Sequence, residues 1–396
     1  KIGQAIIASA QRVIDGEFDD QFVVDIFQTG SGTSTNMNAN EVISNVAIEA
    51  MGGELGSRDP VHPNDHVNKG QSSNDVFPST IHLAAAGAIK DDLLPALKIL
   101  EDSLRTKSEE FWGVVKTGRT HLQDATPIRL GQEFLGYAGQ LELAGKRAEK
   151  ALAELSVLAL GGTAVGTGIG MHPEFATRVI SRLRELTGLD LSETTNHFQA
   201  QSTIDAIVSA SGELKSIAVG MLKIANDIRW LASGPRAGIG EIMLPEVQPG
   251  SSIMPGKVNP VIAESVTMVS AQVIGNDATI TIAGQSGNFE LNVMMPVAAH
   301  NLLESIDLLA NSARNFSVQG VSGLSATQKG PEMVMQGLAI GTALVPSIGY
   351  DAAANIAHTA ATTGETIKQV ALRETDLTEE ELDKILDPLS MTEPKA

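Results

Sequence analysis

The sequence predicts a mainly α-helical fold built around a central bundle of long helices. Three observations predict it. The first is a seam at residues 207–231, where Ile207, Leu214, Met221 and Ile228 recur every seven residues and Ala210, Ile217, Ile224 and Leu231 interleave with them. Such spacing makes a narrow apolar stripe that packs helix against helix. The second is composition: 42% of residues are hydrophobic but only 4% are aromatic. A core so poor in rings must be built from Ala, Leu, Ile, Val and Met, which suits long packed helices. The third is the lack of sustained period-two alternation, the signature of a half-buried sheet. Strand-like pieces such as FVVDIF (22–27) are short and isolated.

The elements follow in order. Residues 1–70 mix helix with polar, Gly- and Asn-rich loops. Helical patterns fill about 80–112, 129–160, 207–231, 261–285 and 298–315, within a long-helix core spanning 71–328. Residues 329–396 hold shorter helices, and in TEEELDKIL (378–386) Thr378 and Glu381 fit a capping box. A chain of 396 residues suffices for two or three domains and a large core. We find no internal repeat and no low-complexity tract.

The net charge of −19 argues against nucleic acid as a partner, because phosphate binding needs a basic surface. An anionic ligand must therefore be caught by a local positive site against the overall field. The chain has no cysteine, which removes disulfides, thiol catalysis and Cys-ligated metal or iron–sulfur centres. No run of 18 apolar residues and no signal-peptide pattern is present, so a cytoplasmic or mitochondrial-matrix protein with no membrane partner is expected.

Four polar segments interrupt the helices. QTGSGTSTNMNANEV (28–42) gathers hydroxyls, amides and glycines before a helix. It reads as a capped helix start, or as a cluster of donors at a helix N-terminus suited to a carboxylate. HPNDHVNKGQSSND (62–75) holds His62, Asp65 and His66, but Pro63 and Asn64 favour a turn and nothing completes a ligand set, so no metal is expected. Ser72, Ser73 and Asn74 are neutral donors suited to an oxyanion. In GRTHLQDATPIRLGQE (118–133) His121 follows Thr120; a lone histidine is ordinarily structural. GSSIMPGKVNP (250–260) joins two helical stretches, with glycines that free its backbone and prolines that restrict it. Asn259-Pro260 reads as an N-cap followed by Pro at the first helical position. Lys257 can pair with an anion, and nearby positive charge favours the ionised form of a serine. The phosphate-loop pattern GxxxxGK[ST] is absent. GGTAVGTGIG (161–170) follows no credible strand and reads as a helix break.

Taken in order, SGTSTNMNANEV, HPNDHVNKGQSSND, GRTHLQDATP and GSSIMPGKVNP resemble the characteristic regions of the fumarase/aspartase superfamily, along the whole chain. Within it the chain most resembles the class II fumarate hydratases. His121 stands where aspartate ammonia-lyases typically carry Gln, Gly256 where they usually carry Ala, and Ser73 where they tend to carry Thr. The resemblance implies a three-domain, mainly helical subunit, with domains at 1–70 (expected to be incomplete), 71–328 and 329–396. It implies a homotetramer whose long helices form a shared core and whose active sites are each assembled from three subunits. The activity implied is reversible anti hydration of fumarate to (S)-malate through an aci-carboxylate carbanion, with no metal or organic cofactor.

The same resemblance assigns roles. Ser251 is the carbon-side base, and Lys257 and Asn259 hold the carboxylate that gains charge. His121 with Thr120 handles the leaving water, and Glu264 orients and charges the histidine. Ser31, Thr33, Ser72, Ser73, Asn74 and Ser252 bind substrate oxygens. His62, Pro63, Asn64 and Asp65 match a second, non-catalytic dicarboxylate loop. The alternatives are aspartate ammonia-lyase, against which His121 and Gly256 argue, and a catalytically silent structural relative, against which the intact site argues.

Overall fold

The computed structural model describes residues 1–394; the last two residues of the 329–396 region lie outside the described residues. In chain order the helices are α1 (Ile2–Ile14), α2 (Thr33–Ala50), α3 (Ser73–Ala88), α4 (Leu94–Glu110) and α5 (Leu130–Leu155). Then come α6 (Phe175–Thr187), α7 (His197–Ser202), α8 (Asp205–Leu231), α9 (Val261–Gly284) and α10 (Met295–Asn315). The shorter α11 (Lys329–Val334), α12 (Val345–Ile348), α13 (Tyr350–Thr363), α14 (Ile367–Glu374) and α15 (Glu379–Ile385) complete the series. The chain divides into two compact units: residues 1–95, 144–219 and 269–311, and residues 96–143, 220–268 and 312–396.

The seam read from the sequence is a buried one. Ile207, Ala210, Leu214, Ile217 and Ile224 are almost fully buried along α8, and Leu231, the most accessible of its eight residues, is 5% exposed. Fully burying the Ile, Leu and Met side chains contributes about 1.5–3 kcal/mol each, and this drives assembly of the long helices. The expected capping box forms: Thr378 accepts the Glu381 amide at 3.3 Å while the Glu381 carboxylate accepts the Thr378 amide at 2.8 Å. A separate small core in the second unit joins Leu344, Ile356, Ile367, Val370 and Leu382.

The isolated strand-like piece FVVDIF (22–27) belongs to no strand. Two expectations change. The GRTHLQ segment lies on a hairpin, with β1 (Val115–Thr120) antiparallel to β2 (Gln123–Arg129). Further two-residue strands are β3 (Val157–Leu158), β4 (Ser192–Glu193), β5 (Ile242–Met243), β6 (Gly287–Asn288), β7 (Leu291–Asn292) and β8 (Ser325–Ala326). They pair β3 with β4 in parallel, and β5 with β8 and β6 with β7 antiparallel. GGTAVGTGIG is therefore no helix break. It leaves β3 and precedes α6 within a minimal parallel crossover. Glu174 occupies the N-cap position of α6 without a side-chain capping bond and pairs with Arg178 at 2.7 Å.

Candidate active site

In the first unit the N-termini of α2 and α3 lie against each other. Gly32 precedes α2 at φ 74°, and a Cβ there would sit 2.3 Å from the Phe77 ring of α3, so only glycine allows the approach. Gly32 has no side chain with which to cap the helix. Gln28 takes the third helical amide, Thr35, at 2.9 Å. Ser31 and Thr33 share a 2.7 Å hydroxyl contact beside the cap. Asn36, one turn into α2, donates to Ser73 at 3.3 Å and to Asn68 at 3.4 Å. Ser31, Thr33 and Ser73 are thus held at two adjoining helix N-termini, where backbone amides and the helix dipole favour negative charge.

Ser72 caps α3. Its hydroxyl accepts the Asn74 amide at 3.2 Å, and its own amide donates to Asp75 at 3.0 Å. Asp75 is completely buried, and its other oxygen accepts the Gly161 and Thr163 amides at 2.9 and 3.0 Å. Asn74 donates to the Ala164 carbonyl at 2.8 Å. The glycine-rich turn is therefore docked on the start of α3 through residues adjacent to Ser72 and Ser73. Sequence reading missed this partnership: Asp75 stands in a polar run where it looks like an ordinary turn residue.

His62 begins the π-helical turn Pro63–Val67. Its Nδ1 accepts the Asn64 and Asp65 amides at 3.2 Å each, and its own amide donates to His66 Nδ1 at 2.8 Å. Both imidazoles thus use Nδ1 for the backbone, and Asn64 and Asp65 project outward as exposed residues.

The second unit carries the remaining assigned residues. Thr120 and His121 stand exposed at the tip of the β1–β2 hairpin. His121 and Leu122 both have positive φ, 56° and 59°. A two-residue hairpin turn with both centres left-handed usually recruits Asn and Gly; here it costs about 1–2 kcal/mol per residue. Strain of this kind at a histidine is a pointer to function. Arg119, next to Thr120 on the same strand, makes a two-pronged ion pair with Glu241 at 2.7 and 3.0 Å. Glu241 also meets the buried Lys116 ammonium at 3.1 Å, which bonds Glu133 at 2.7 Å. The pair with Glu241 strengthens the Arg119 hold on its proton. At Glu133 burial outweighs Lys116 and raises the carboxyl above its ordinary range.

Residues 250–260 form a loop drawn together at its neck. A Cβ on Gly250 would lie 1.4 Å from the Lys257 carbonyl oxygen, so the two ends touch backbone to backbone. The Asn259 side chain donates to the Gly250 carbonyl. Asn259 is thus no helix cap: α9 begins at Val261, and one of the two side-chain N–H groups closes the loop. Inside it the Ser251 hydroxyl accepts the Ile253 and Met254 amides at 3.3 and 3.0 Å. Donors aimed at a hydroxyl oxygen favour its ionised form. Ser252 and Lys257 face solvent. Glu264 lies in the first turn of α9; among the described residues it forms no hydrogen bond or ion pair with His121.

Comparison with known proteins sets these groups in context. A family model described as Lyase matches residues 1–275, and one described as Fumarase C C-terminus matches 340–393. The protein named Fumarate hydratase class II from Methylorubrum extorquens is 52% identical, covering 100% of this chain and 84% of that relative. Fumarate hydratase class II 2 from Bradyrhizobium diazoefficiens is 54% identical, covering 98% and 83%. Among solved structures, the class II fumarase from Schistosoma mansoni superposes with a TM-score of 0.95 at 40% identity, covering 100% of this chain and 86% of that one. With matches this long and this similar at both ends of the chain, it belongs to the class II fumarate hydratase family.

Proposed function

We propose that this chain catalyses the reversible anti addition of water to fumarate, giving (S)-malate. The observation that carries the reading is the closed loop in which Ser251 accepts two amides while sharing one turn of chain with Lys257. In the malate-to-fumarate direction a proton leaves the carbon beside a carboxylate, and the electron pair spreads into that carboxylate. Ser251 takes the proton as an alkoxide made accessible by its amide donors. Lys257 and Asn259 hold the carboxylate as it gains charge, which stabilises the transition state more than the ground state. His121 and Thr120 serve the departing water, with Glu264 orienting the imidazole in the assembled tetramer, since among the described residues the two make no bond within one chain. Ser31, Thr33, Ser72, Ser73, Asn74 and Ser252 hold substrate oxygens. His62, Pro63, Asn64 and Asp65 form a second dicarboxylate loop, in which the Asn64 side chain points outward while the Asp65 carboxylate lies 3.5 Å from the His62 imidazole. The steps use no metal or organic cofactor.

The working form is a homotetramer of three-domain subunits (1–70, 71–328 and 329–396) with each site shared by three copies. Among the described residues no helix is long and apolar enough to cross a membrane. A cytoplasmic or mitochondrial-matrix setting is in keeping with the bacterial and mitochondrial relatives.

The test is an ultraviolet time course with malate, fumarate and aspartate in separate samples. Fumarate should form from malate and not from aspartate; formation from aspartate alone would make the chain an ammonia-lyase. Lys257→Met is expected to raise KM and lower kcat together. Loss of a charge-assisted contact of about 1.5–3 kcal/mol lowers kcat/KM about 10- to 100-fold. Steady-state kinetics check this, and unchanged constants would remove Lys257 from the site.

A further inference from the structure

We infer that Glu241 is a positioning residue that sets the tip of the β1–β2 hairpin, and through it Thr120 and His121. The inference rests on the reading of those two residues as catalytic.

The hairpin needs an external hold. Its tip places two residues other than glycine in the left-handed region, so the turn opposes its own geometry. Just before the tip the ladder is broken. Thr117 pairs with Pro127 but Arg119 pairs with Asp124, so β2 carries one extra residue across Ala125–Thr126. A bulge of this kind re-aims the side chains beyond it. The bulge requires Gly118, where a Cβ would sit 2.6 Å from the Thr126 carbonyl oxygen. Beyond it, Arg119 and Thr120 keep only two ladder partners, Asp124 and Gln123.

Arg119 supplies the hold. Its planar fork meets both oxygens of Glu241, which fixes direction as well as distance. Glu241 is itself immobilised. It is 3% exposed, its amide donates to Leu231 at the end of α8 at 2.8 Å, and its carbonyl accepts the Thr327 amide at 2.9 Å. Lys116, on β1 before the bulge, bridges Glu241 and Glu133. One carboxylate therefore grips the hairpin on both sides of its irregularity. A displacement of about 1 Å at a catalytic group can cost on the order of 100-fold in rate, so this grip reaches the chemistry.

The experiment is a double-mutant cycle on the assembled enzyme, with Glu241→Gln, His121→Ala and the pair together. If Glu241 acts through His121, Glu241→Gln lowers kcat about tenfold or more in the otherwise unaltered enzyme, with KM within about threefold. In the His121→Ala background it then lowers kcat less than about twofold. Equal factors in both backgrounds, or less than a twofold loss in the first, would overturn the inference.

Hydrogen exchange of the amides at 119–123 gives a readout independent of chemistry. Faster exchange in Glu241→Gln is expected, and unchanged exchange overturns the hold. A normal rate for His121→Ala together with faster exchange would show that the site reading failed while the positioning stood. Should Glu241→Gln fail to assemble, Arg119→Lys goes through the same cycle, because it keeps the charge but loses the fork. If neither assembles, the network serves stability alone and the inference falls.

Discussion

Replacing Ser251 with alanine is expected to lower kcat for malate dehydration by about 10²–10⁴-fold, the range of a lost general base. KM should change little, because the hydroxyl is asked to act on the proton and not to anchor the carboxylates. The loop should survive the change. Its neck is closed by Gly250 against Lys257 and by the Asn259 amide, and neither contact involves the serine side chain. The Ile253 and Met254 amides lose an acceptor, but both residues are exposed and water replaces it. The measurement is initial rate against malate concentration, alongside oligomeric mass. A variant of normal mass that retains more than about a tenth of the rate would remove Ser251 as the base.

Asp75→Ala is expected to cost about 3–5 kcal/mol of stability. The carboxylate is wholly buried and accepts three backbone amides, from Ser72, Gly161 and Thr163. Stranding a buried donor costs about 1–3 kcal/mol, and the three share one site, so the sum is less than three independent losses. Asp75→Asn distinguishes hydrogen bonding from shape. Whichever way the amide turns, its NH₂ faces at least one N–H that the carboxylate satisfied, so a smaller but definite loss should remain. Denaturant midpoints at fixed protein concentration check both variants, since assembly makes apparent stability concentration-dependent. An unshifted midpoint for Asp75→Ala would refute the account.

The bundle was legible because packing writes a period into the sequence: α8 could be read residue by residue from its seam. Ser31, Ser72 and Ser251 could be singled out because hydroxyls crowd between glycines in otherwise apolar surroundings. The hairpin was hidden for physical reasons. Its turn is His121-Leu122, not Asn-Gly, and its inner strand buries Lys116, which alternation rules count as a surface residue. What satisfies that lysine lies at Glu133 and Glu241, far apart in sequence, and no local pattern announces an ion pair of that reach. Asp75 was equally silent: two of its three partners sit in a glycine stretch that no local pattern ties to it.

The closed neck at Gly250 bears on how the loop can travel. A free connection of eleven residues would search many dihedrals, and each ordered residue costs about 1–2 kcal/mol in backbone entropy. With its ends joined, the segment behaves as a clasp on a short pivot. Ser251 and Lys257 are then carried on one body. On the roles proposed for them, a dicarboxylate that captured the ammonium would draw the hydroxyl along with it, making recognition and deprotonation one mechanical event, and a side chain at Gly250 would split them into two.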